Sequence, residues 1–242
     1  MTNPSYKSHP SADFLKKVYS EIYSSYERMN RILTLGLDRL WRRQAVKIAA
    51  SSADGGRWLD MCTGTGETAV SLSRIAPEGT RIFAADFSPS MIAQARKKPD
   101  AACIMFVNAD IHELPFPDES FSLITMSFAA RNVNADRDSL IHGFSELRRI
   151  LKPGGVFVNL ETSQPRSPII SKCFHLFVRL VVIKAGKYFS GDNSGYAYLS
   201  GSIIKFYSAE ELAEILKKAG FGEVSFKRMM MGAVAVHKAG KG

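Results

Sequence analysis

The sequence predicts an α/β protein with a doubly wound, Rossmann-like sheet that is mostly parallel but has an antiparallel C-terminal strand. Short apolar runs alternate with helical patterns along the middle of the chain, which is typical of a parallel sheet with helices on both faces. A glycine-rich turn follows the first apolar run, where such sheets bind ligands. Two apolar runs near the C-terminus have no helix between them, which indicates a closing hairpin. An N-terminal helical cap and a helical lid insertion complete the predicted fold.

The segment 57–72 contains the first strand, a tight turn and the start of a helix. Its apolar run ends in Asp60, and the small residues Cys-Thr-Gly-Thr-Gly follow at 62–66. Glycines let the main chain approach a ligand closely, and the amides of the helix start point towards it. Taken alone, the pattern G-x-G-x-x-A that begins at Gly64 fits a dinucleotide-binding turn or an ordinary strand-to-helix turn.

Acidic residues around this turn favour a cationic cofactor. Asp60 closes the strand, Glu67 begins the helix, and Asp86 follows Gly66 by about 20 residues, as a ribose-binding acid should. A pyrophosphate would meet Asp60 and Glu67 as like charges in a partly desolvated crevice. S-adenosylmethionine carries a sulfonium and an ammonium and no phosphate. The sequence therefore favours this methyl donor over a nicotinamide.

Residues 1–50 predict the helical cap. Apolar side chains recur at helical spacing in two stretches: Phe14, Val18 and Ile22, then Leu37, Trp41, Ala45 and Ile48. Gly36 is the expected break between helices. The cap either packs over one edge of the sheet or covers the active site with Tyr19, Tyr23 and Tyr26.

Residues 51–161 predict the cofactor-binding core. After the first unit, apolar runs predict strands at 81–86, 104–107, 121–128 and 156–160. Ser88 is suited to cap the helix after the second strand. A longer helix is predicted from about 136 to 151, ended by the Lys-Pro-Gly-Gly sequence at 152–155.

Residues 208–242 predict the last helix and the closing strands of the core. Ser208 and Glu211 form a capping box at the start of a helix that extends to Ala219. The runs 222–228 and 233–237 then predict the closing hairpin.

Residues 162–207 are too long for a connection within a compact sheet, and they predict the lid. One helical face carries Ile169, Cys173, Phe177 and Leu180, and another carries Lys172, His175 and Arg179. No acidic residue occurs from 162 to 190. We expect this segment either to admit a lipophilic substrate beside an anionic bilayer, or to pack on the domain or against a second subunit in a homodimer.

Composition limits the class of protein. The 242-residue chain is 45% hydrophobic and 23% charged, which suits one soluble α/β domain with extensions. Three widely spaced cysteines and five histidines without ligand spacing predict a reducing compartment and no metal. The sequence shows neither a signal peptide nor a run of roughly 18 apolar residues, so we expect a cytoplasmic protein. The net charge of +9 suggests an acidic partner, either nucleic acid or an anionic membrane.

Ligands of such sheets bind at the carboxyl ends of the strands, where several acidic residues should converge. Asp86 would hold the ribose hydroxyls, and Asp60 with the turn 64–66 would hold the methionine part. Asp110 and Ile111 would meet the edge and face of adenine. The predicted cofactor-binding residues are Asp60, Gly64, Thr65, Gly66, Asp86, Phe87, Met91, Asp110, Ile111 and Ser127. Met91 packs on adenine in this interpretation, although a core methionine fits the pattern equally well.

The loop after the fourth strand argues against nucleic acid as the methyl acceptor. Methylation of base amino groups calls for an Asn/Asp-Pro-Pro-aromatic turn, but the chain has Ser-Phe-Ala-Ala-Arg-Asn-Val at 127–133. A Pro-Cys nucleophile for ring carbons of bases is also missing, because Cys103 follows Ala102. We therefore expect no nucleic acid partner.

Several longer motifs together resemble one family. YERMNRILTLGLDRLWR at 26–42, the glycine turn, LPFPDESF, SFAARNV, LKPGG and the tail GAVAVHK occur in the order found in the ubiquinone/menaquinone biosynthesis C-methyltransferases. The similarity extends from about Phe14 to Lys238. LPFPD and LKPGG are common in small-molecule methyltransferases, so the N-terminal block, SFAARNV and GYAYL at 195–199 are the specific parts.

The resemblance implies methylation of a ring carbon of a polyprenylated quinol, demethylmenaquinol or a ubiquinone precursor, by S-adenosylmethionine. It implies cofactor contacts at Thr65, Asp86, Asp110, Ile111 and Ser127. It also places Arg131 and Asn132 beside the acceptor, where they would stabilise a phenolate or relay its proton through water. The alternative is that these two residues only fix the loop after the fourth strand. The resemblance implies a quinol as the partner, and the basic, apolar segment 162–190 adds the expectation of a peripheral contact with the inner face of an anionic membrane.

The chain departs from the family pattern mainly on the acceptor side. It has Glu27 in place of an aspartate, Asp38 in place of a histidine, Glu67 in place of an aspartate, and Ala197 in place of an arginine. These changes leave the identity of the quinone open. Other small lipophilic phenols as acceptors, and a cofactor-binding subunit without catalysis of its own, are the remaining alternatives.

Overall fold

The computed structural model describes residues 31, 34, 36–134, 136–182 and 194–242, with main chain alone at 182 and 194–199. The predicted helix that contains Phe14, Val18 and Ile22 lies outside the described residues, as do the three tyrosines of the predicted cap. In chain order the described helices and strands are α1 (Leu37–Ala50), β1 (Arg57–Met61), α2 (Glu67–Ser73), β2 (Arg81–Asp86), α3 (Pro89–Ala95), β3 (Ile104–Asn108), β4 (Phe121–Ser127), α4 (Ala130–Val133), α5 (Arg137–Ile150), β5 (Leu151–Thr162), α6 (Pro168–Phe177), α7 (Ser194–Lys205), α8 (Ala209–Lys218), β6 (Val224–Met229) and β7 (Val234–Gly240).

The described strands form one seven-stranded sheet in the order β3-β2-β1-β4-β5-β7-β6. Strands β1 to β5 pair in parallel, and β7 runs antiparallel to both of its neighbours. The chain moves outward from β1 to β3 and then returns to β4 beside β1, so the strand order reverses between β1 and β4. A ligand crevice opens at the carboxyl ends of strands at such a reversal. The predicted fold class is confirmed.

Alternation along the strands produces two apolar layers, one on each face of the sheet. Trp58 and Leu59 are consecutive in β1 and fully buried, and they point to opposite faces. Trp58 packs in the cluster that contains Val46 of α1, whereas Leu59 packs with Phe144 and Leu147 of α5. The helices on both faces thus fix β1, whose carboxyl end carries the glycine turn.

Helix starts follow the predicted capping chemistry. The Ser208 hydroxyl accepts from the Glu211 amide while the Glu211 carboxylate accepts from the Ser208 amide, so the capping box before α8 is confirmed. The Ser88 hydroxyl accepts from the Met91 amide at the start of α3, so the predicted cap there is also confirmed. Asp136, which is not among the predicted caps, caps α5 because its carboxylate accepts from the Ser139 amide at 2.7 Å. Gly36 precedes α1 with a φ of 77°, which confirms the predicted helix break.

The fifth strand begins earlier than the sequence predicts. β5 begins at Leu151 rather than at residue 156, immediately after α5 ends at Ile150. The Lys-Pro-Gly-Gly turn stays attached to the sheet, because Gly154 donates to the Lys241 carbonyl at 2.8 Å and Lys241 donates to the Gly155 carbonyl at 2.9 Å. The sequence showed the helix stop but not this long-range pairing.

The segment predicted as a lid is helical at both described ends. α6 continues into a π-helical turn at Val178–Val182, and α7 follows the segment 183–193. None of the ten residues of α6 is fully buried, so this helix lies on the surface. Its motion as a lid stays a prediction. Among the described residues, no helix is both long enough and apolar enough to cross a bilayer.

Candidate active site

The glycine turn after β1 leaves its main chain open on one side and closely packed on the other. Gly64 and Gly66 have φ values of 56° and 82°, in the left-handed region that favours glycine. A Cβ added to Gly64 would meet no atom within 4 Å, so a ligand can contact the main chain there. A Cβ added to Gly66 would lie 3.0 Å from the Cβ of Ala95, so this glycine lets α2 approach α3. Thr65, between them, is buried.

Asp60 is a buried acid at the end of β1, with 1% of its surface exposed. Thr63 donates to its Oδ2 at 2.6 Å, and Thr125 donates to its Oδ1 at 2.8 Å. Burial raises the pKa of Asp60 from its ordinary 3.8 to about 6, against the lowering effect of these two hydrogen bonds. A cation beside this carboxylate would favour its ionised form.

Asp86 occupies the same position at the end of β2. Its Oδ2 accepts from the Gly64 amide at 2.8 Å, and its Oδ1 accepts from the Ser88 amide at 2.9 Å. Burial raises the pKa of Asp86 to about 6, although these amides favour the ionised form. The hydrogen bond to Gly64 joins the ends of β1 and β2 into one loop cluster, as the sequence predicts.

Ser127 at the end of β4 belongs to a chain of hydroxyl contacts that reaches this cluster. Thr68 donates to the Ser127 hydroxyl at 3.1 Å and accepts from Arg42 at 3.0 Å. The next residue, Phe128, has a φ of 58°, an uncommon conformation for a bulky side chain that is often found at functional sites. The Arg42 guanidinium lies 5.1 Å from the centre of the Phe128 ring.

The loops after β2 and β3 carry the predicted adenine-binding residues. Met91 and Ile111 are buried, which is consistent with a core position and with the wall of a pocket. Asp110 is exposed, and its Oδ1 accepts from the His112 amide at 2.9 Å. Phe87 is half-buried directly after Asp86. The structure thus places these residues at the correct edge of the sheet, and their adenine contacts stay a prediction.

Glu67 contributes less negative charge to the crevice than the sequence argument assumed. It begins α2 and forms an ion pair with Lys98. The negative charge of the crevice therefore comes mainly from the buried carboxyls of Asp60 and Asp86.

Arg131 and Glu161 form a buried ion pair behind the loop after β4. The Nη1 of Arg131 donates to Oε1 of Glu161 at 2.7 Å, and the two side chains are 6% and 0% exposed. Glu161 also accepts from the main-chain amide of Thr162 at 2.7 Å. Asn132 lies in the same turn of helix, where its amide donates to the Ala129 carbonyl. The arginine proposed for catalysis thus has its charge balanced and its position fixed.

An apolar cavity of about 330 Å³ opens next to Arg131. Side chains from α1, the β4 loop, α6 and the end of β6 surround it. The residues that line it are Thr34, Leu37, Asp38, Trp41, Arg42, Phe128, Arg131, Thr162, Ile170, Cys173, Phe174, Phe177, Val178, Ile203, Met230, Met231, Ala233 and Val234. Its volume is at the lower end of the range of small-molecule sites, and its walls suit a flat lipophilic ring.

Sequence reasoning missed several polar residues of this region, including Thr68, Thr125 and Glu161. Glu161 closes an apolar strand, which is the same signal that identified Asp60 and Asp86, so the sequence could have revealed it. The two threonines lack such a signal, because their neighbours in space are distant in the chain.

The residues present fit S-adenosylmethionine better than a phosphate-bearing nucleotide. The open main chain at Gly64 lies against the carboxylate of Asp86, and Asp60 adds a second buried acid. Cations stabilise such carboxylates, whereas phosphates would be repelled by them. The apolar cavity does not include these acids among its lining residues. Phe128 and Arg42 line it, and Arg42 also donates to Thr68 near the end of β4.

The sequence profile of the ubiE/COQ5 methyltransferase family matches residues 7–241. The chain belongs to this family. It is 37% identical over 237 residues to the demethylmenaquinone methyltransferase of Clavibacter sepedonicus, covering 95% of this chain and 94% of the relative. It is 35% identical over 223 residues to the ubiquinone/menaquinone biosynthesis C-methyltransferase UbiE of Desulfotalea psychrophila, covering 92% and 88%.

This ubiE/COQ5 family member also shares its fold with solved methyltransferases. Human N-acetylserotonin methyltransferase, solved in complex with S-adenosylmethionine, superposes with a TM-score of 0.64 at 19% identity. The alignment covers 96% of this chain and 60% of the human chain. Membership of the family shows that the protein is an S-adenosylmethionine-dependent methyltransferase, as the crevice chemistry predicts, and the solved structure shows the shared fold.

Proposed function

We propose that this protein transfers a methyl group from S-adenosylmethionine to a ring carbon of a polyprenylated quinol in quinone biosynthesis. The observation that carries the proposal is the apolar cavity beside Arg131, at the same end of the sheet as the cofactor crevice. A quinol ring fills such a cavity through apolar contacts, while its hydroxyls need a few polar partners. The names of the relatives, demethylmenaquinone methyltransferase and UbiE, support the same acceptor class.

The crevice at the ends of β1 and β2 would bind the methyl donor, and the apolar cavity beside Arg131 would bind and activate the acceptor. Asp86 would hold the ribose hydroxyls of the cofactor, and Asp60 with the 64–66 turn would hold its cationic methionine part. The cofactor supplies an electrophilic methyl group. Arg131 would stabilise the negative charge that develops on the quinol oxygen by hydrogen bonding, because a guanidinium has five N–H donors and Glu161 holds it in place at the cavity wall. Asn132 follows Arg131 in α4 but is not among the described residues that line the cavity, so its part in the transfer stays a prediction.

A methyl-transfer assay tests the proposal. Purified protein, radiolabelled S-adenosylmethionine and demethylmenaquinol in detergent should give labelled menaquinol. A panel of lipophilic phenols without the naphthoquinol ring serves as the comparison. Calorimetry with S-adenosylhomocysteine checks the donor site independently. Binding of this compound without transfer to the quinol, or faster transfer to a simple phenol, would contradict the quinol assignment.

We also propose that α6 and the turn after it contact the surface of an anionic membrane. Ile169, Leu176 and Leu180 are 75%, 57% and 49% exposed, an unusual amount for large apolar side chains. Lys172 and Arg179 are exposed among them, and residues 162–190 include no acid that would repel anionic lipids. This surface continues into the acceptor cavity through Phe177, which supports direct entry of a lipid-soluble substrate from the inner face of the membrane.

Vesicle sedimentation tests the membrane contact. The wild type should bind vesicles that contain phosphatidylglycerol more tightly than neutral vesicles. The double substitution I169S/L176S should weaken binding to both kinds of vesicle. Ile75 is 46% exposed on the surface near the end of α2, so I75S is a matched control that should bind like the wild type. Equal binding of the wild type to both vesicle types, or no binding to either, would contradict the membrane assignment. So would a concentration-dependent dimer of the wild type that I169S/L176S no longer forms.

A further inference from the structure

The acceptor cavity contains one acid among its described lining residues, Asp38 in the first turn of α1. The other ionisable groups that line it are Arg42, Arg131 and Cys173. Arg42 donates to Thr68, and Arg131 is paired with Glu161. Both cations therefore already have polar partners outside the cavity.

Asp38 keeps its carboxylate available to a ligand. Thr34 donates to Oδ1 of Asp38 at 3.0 Å, and the Asp38 amide donates back to the Thr34 hydroxyl at 3.3 Å. In the part of the chain that the structure describes, the side-chain partner is this neutral hydroxyl rather than a cation. An ionised carboxylate has about four acceptor sites, so one hydrogen bond leaves others for a substrate hydroxyl.

We propose that Asp38 is the catalytic base that removes the hydroxyl proton of the acceptor, an inference that rests on the proposed function. The ring carbon of a quinol is a weak nucleophile while the neighbouring hydroxyl keeps its proton. The O–H bond breaks, the proton bonds to a carboxylate oxygen of Asp38, and the electron pair stays on the phenolate oxygen. That charge delocalises onto the ring carbon that attacks the methyl group. As the ring carbon bonds to the methyl group, the methyl–sulfonium bond breaks and its electron pair leaves with the sulfur of S-adenosylhomocysteine. The ring carbon then loses its hydrogen to water as a proton, which restores the aromatic ring, and the oxygen takes back the proton held by Asp38. One proton is released overall.

The carboxylate of Asp38 and the guanidinium of Arg131 can act on the same substrate hydroxyl in different ways. Asp38 and Arg131 line the same apolar space, one able to accept a proton and the other able to stabilise the phenolate. A structural role for Asp38 also exists, because an acid in the first turn stabilises a helix through its dipole. That role predicts a change in stability and none in the pH dependence of turnover.

The test compares D38N with D38H and with D54N in the full chain, using S-adenosylmethionine and detergent-solubilised demethylmenaquinol. D38N should lower kcat by roughly 10²-fold or more, the usual contribution of a general base, with unchanged affinity for S-adenosylhomocysteine. The remaining kcat of D38N should rise with pH, because hydroxide or buffer in solution must then remove the hydroxyl proton of the acceptor. D38H should recover part of kcat, since imidazole also accepts a proton. Asp54 is exposed on a loop, so D54N should match the wild type.

Three results would overturn the role of Asp38: kcat of D38N within about threefold of the wild type, a loss of kcat matched by lost cofactor binding, or no recovery in D38H together with an unchanged pH profile. Failure of the wild type to methylate demethylmenaquinol would refute the proposed function instead. The same comparison with the phenol that the wild type does methylate would then decide the role of Asp38 by the same criteria.

Discussion

Arg131 and Glu161 show how a single buried contact can serve both stability and chemistry. Both side chains are almost completely removed from water, and their separation is 2.7 Å. A buried charge without a partner is costly, so each residue depends on the other to stay in place. The guanidinium of Arg131 thus lines the acceptor cavity while Glu161, which lies outside the cavity, balances its charge.

A double-mutant cycle on this pair gives the first prediction. R131Q should lower the free energy of unfolding by about 3–5 kcal/mol, because it leaves the Glu161 carboxylate buried without its cation. The double variant R131Q/E161Q should recover much of that loss. Urea unfolding measures both. Additive losses would show that the two side chains do not depend on each other.

Residues of the site differ in how well the sequence predicts them. Asp60 and Asp86 each close an apolar run, so their place at a strand end follows from local pattern alone. Glu67 also lies beside the turn, but its ion pair with Lys98 depends on the packing of α2 against a distant loop. The residues that line the acceptor cavity come from six separate segments of the chain, and no local pattern predicts that these segments meet.

The packing of α2 against α3 depends on one missing side chain. Gly66 combines a φ of 82° with a close approach to Ala95: an added Cβ would lie 3.0 Å from the Ala95 Cβ, so Ala95 would have to shift by a few tenths of an ångström. Gly79 has a similar φ of 79° but open space around it. The two glycines therefore separate the cost of backbone strain from the cost of helix packing.

Substituting each glycine by alanine gives the second prediction. G79A should cost about 1–2 kcal/mol in free energy of unfolding, the cost of a left-handed alanine. G66A should cost about 1–3 kcal/mol more, because its methyl group must push α3 away. It should also weaken binding of S-adenosylhomocysteine, since the turn at 62–66 moves with α2. Urea unfolding and calorimetry test this, and equal effects of both substitutions would contradict the packing argument.

Strands and helices in the core were predictable to within a few residues because their patterns are local. The second strand, the caps at Ser88 and Ser208, and the break at Gly36 all depend on neighbouring residues in the sequence. β5 was the exception, because its first residues join the sheet through contacts with Lys241, about ninety residues later. Pairing across that separation cannot be derived from the run itself.

Buried ionisable groups act on the stability of the whole molecule in opposite directions as the pH falls. Burial raises the pKa of both Asp60 and Asp86 to about 6, so the folded state binds more protons than the unfolded state between about pH 4 and 6. Their contribution therefore stabilises the fold on acidification. Burial lowers the pKa of His237 from 6.5 to about 4, so here the unfolded state binds more protons. The histidine therefore destabilises the fold over the same range.

Removing the histidine should expose the effect of the two aspartates. His237 donates to the Ala209 carbonyl at 2.8 Å, and glutamine can keep such a hydrogen bond without titrating. Between pH 7 and pH 5, the free energy of unfolding of H237Q should rise relative to that of the wild type by about 2 kcal/mol, as linkage requires for the change in this pKa. Urea titrations of both proteins at the two pH values give the difference directly, and other titrating groups cancel in it. Parallel pH dependence of the two proteins would mean that His237 is not held neutral in the fold. Opposite contributions of His237 and the two aspartates to the free energy of unfolding could then no longer explain how the protein responds to acid.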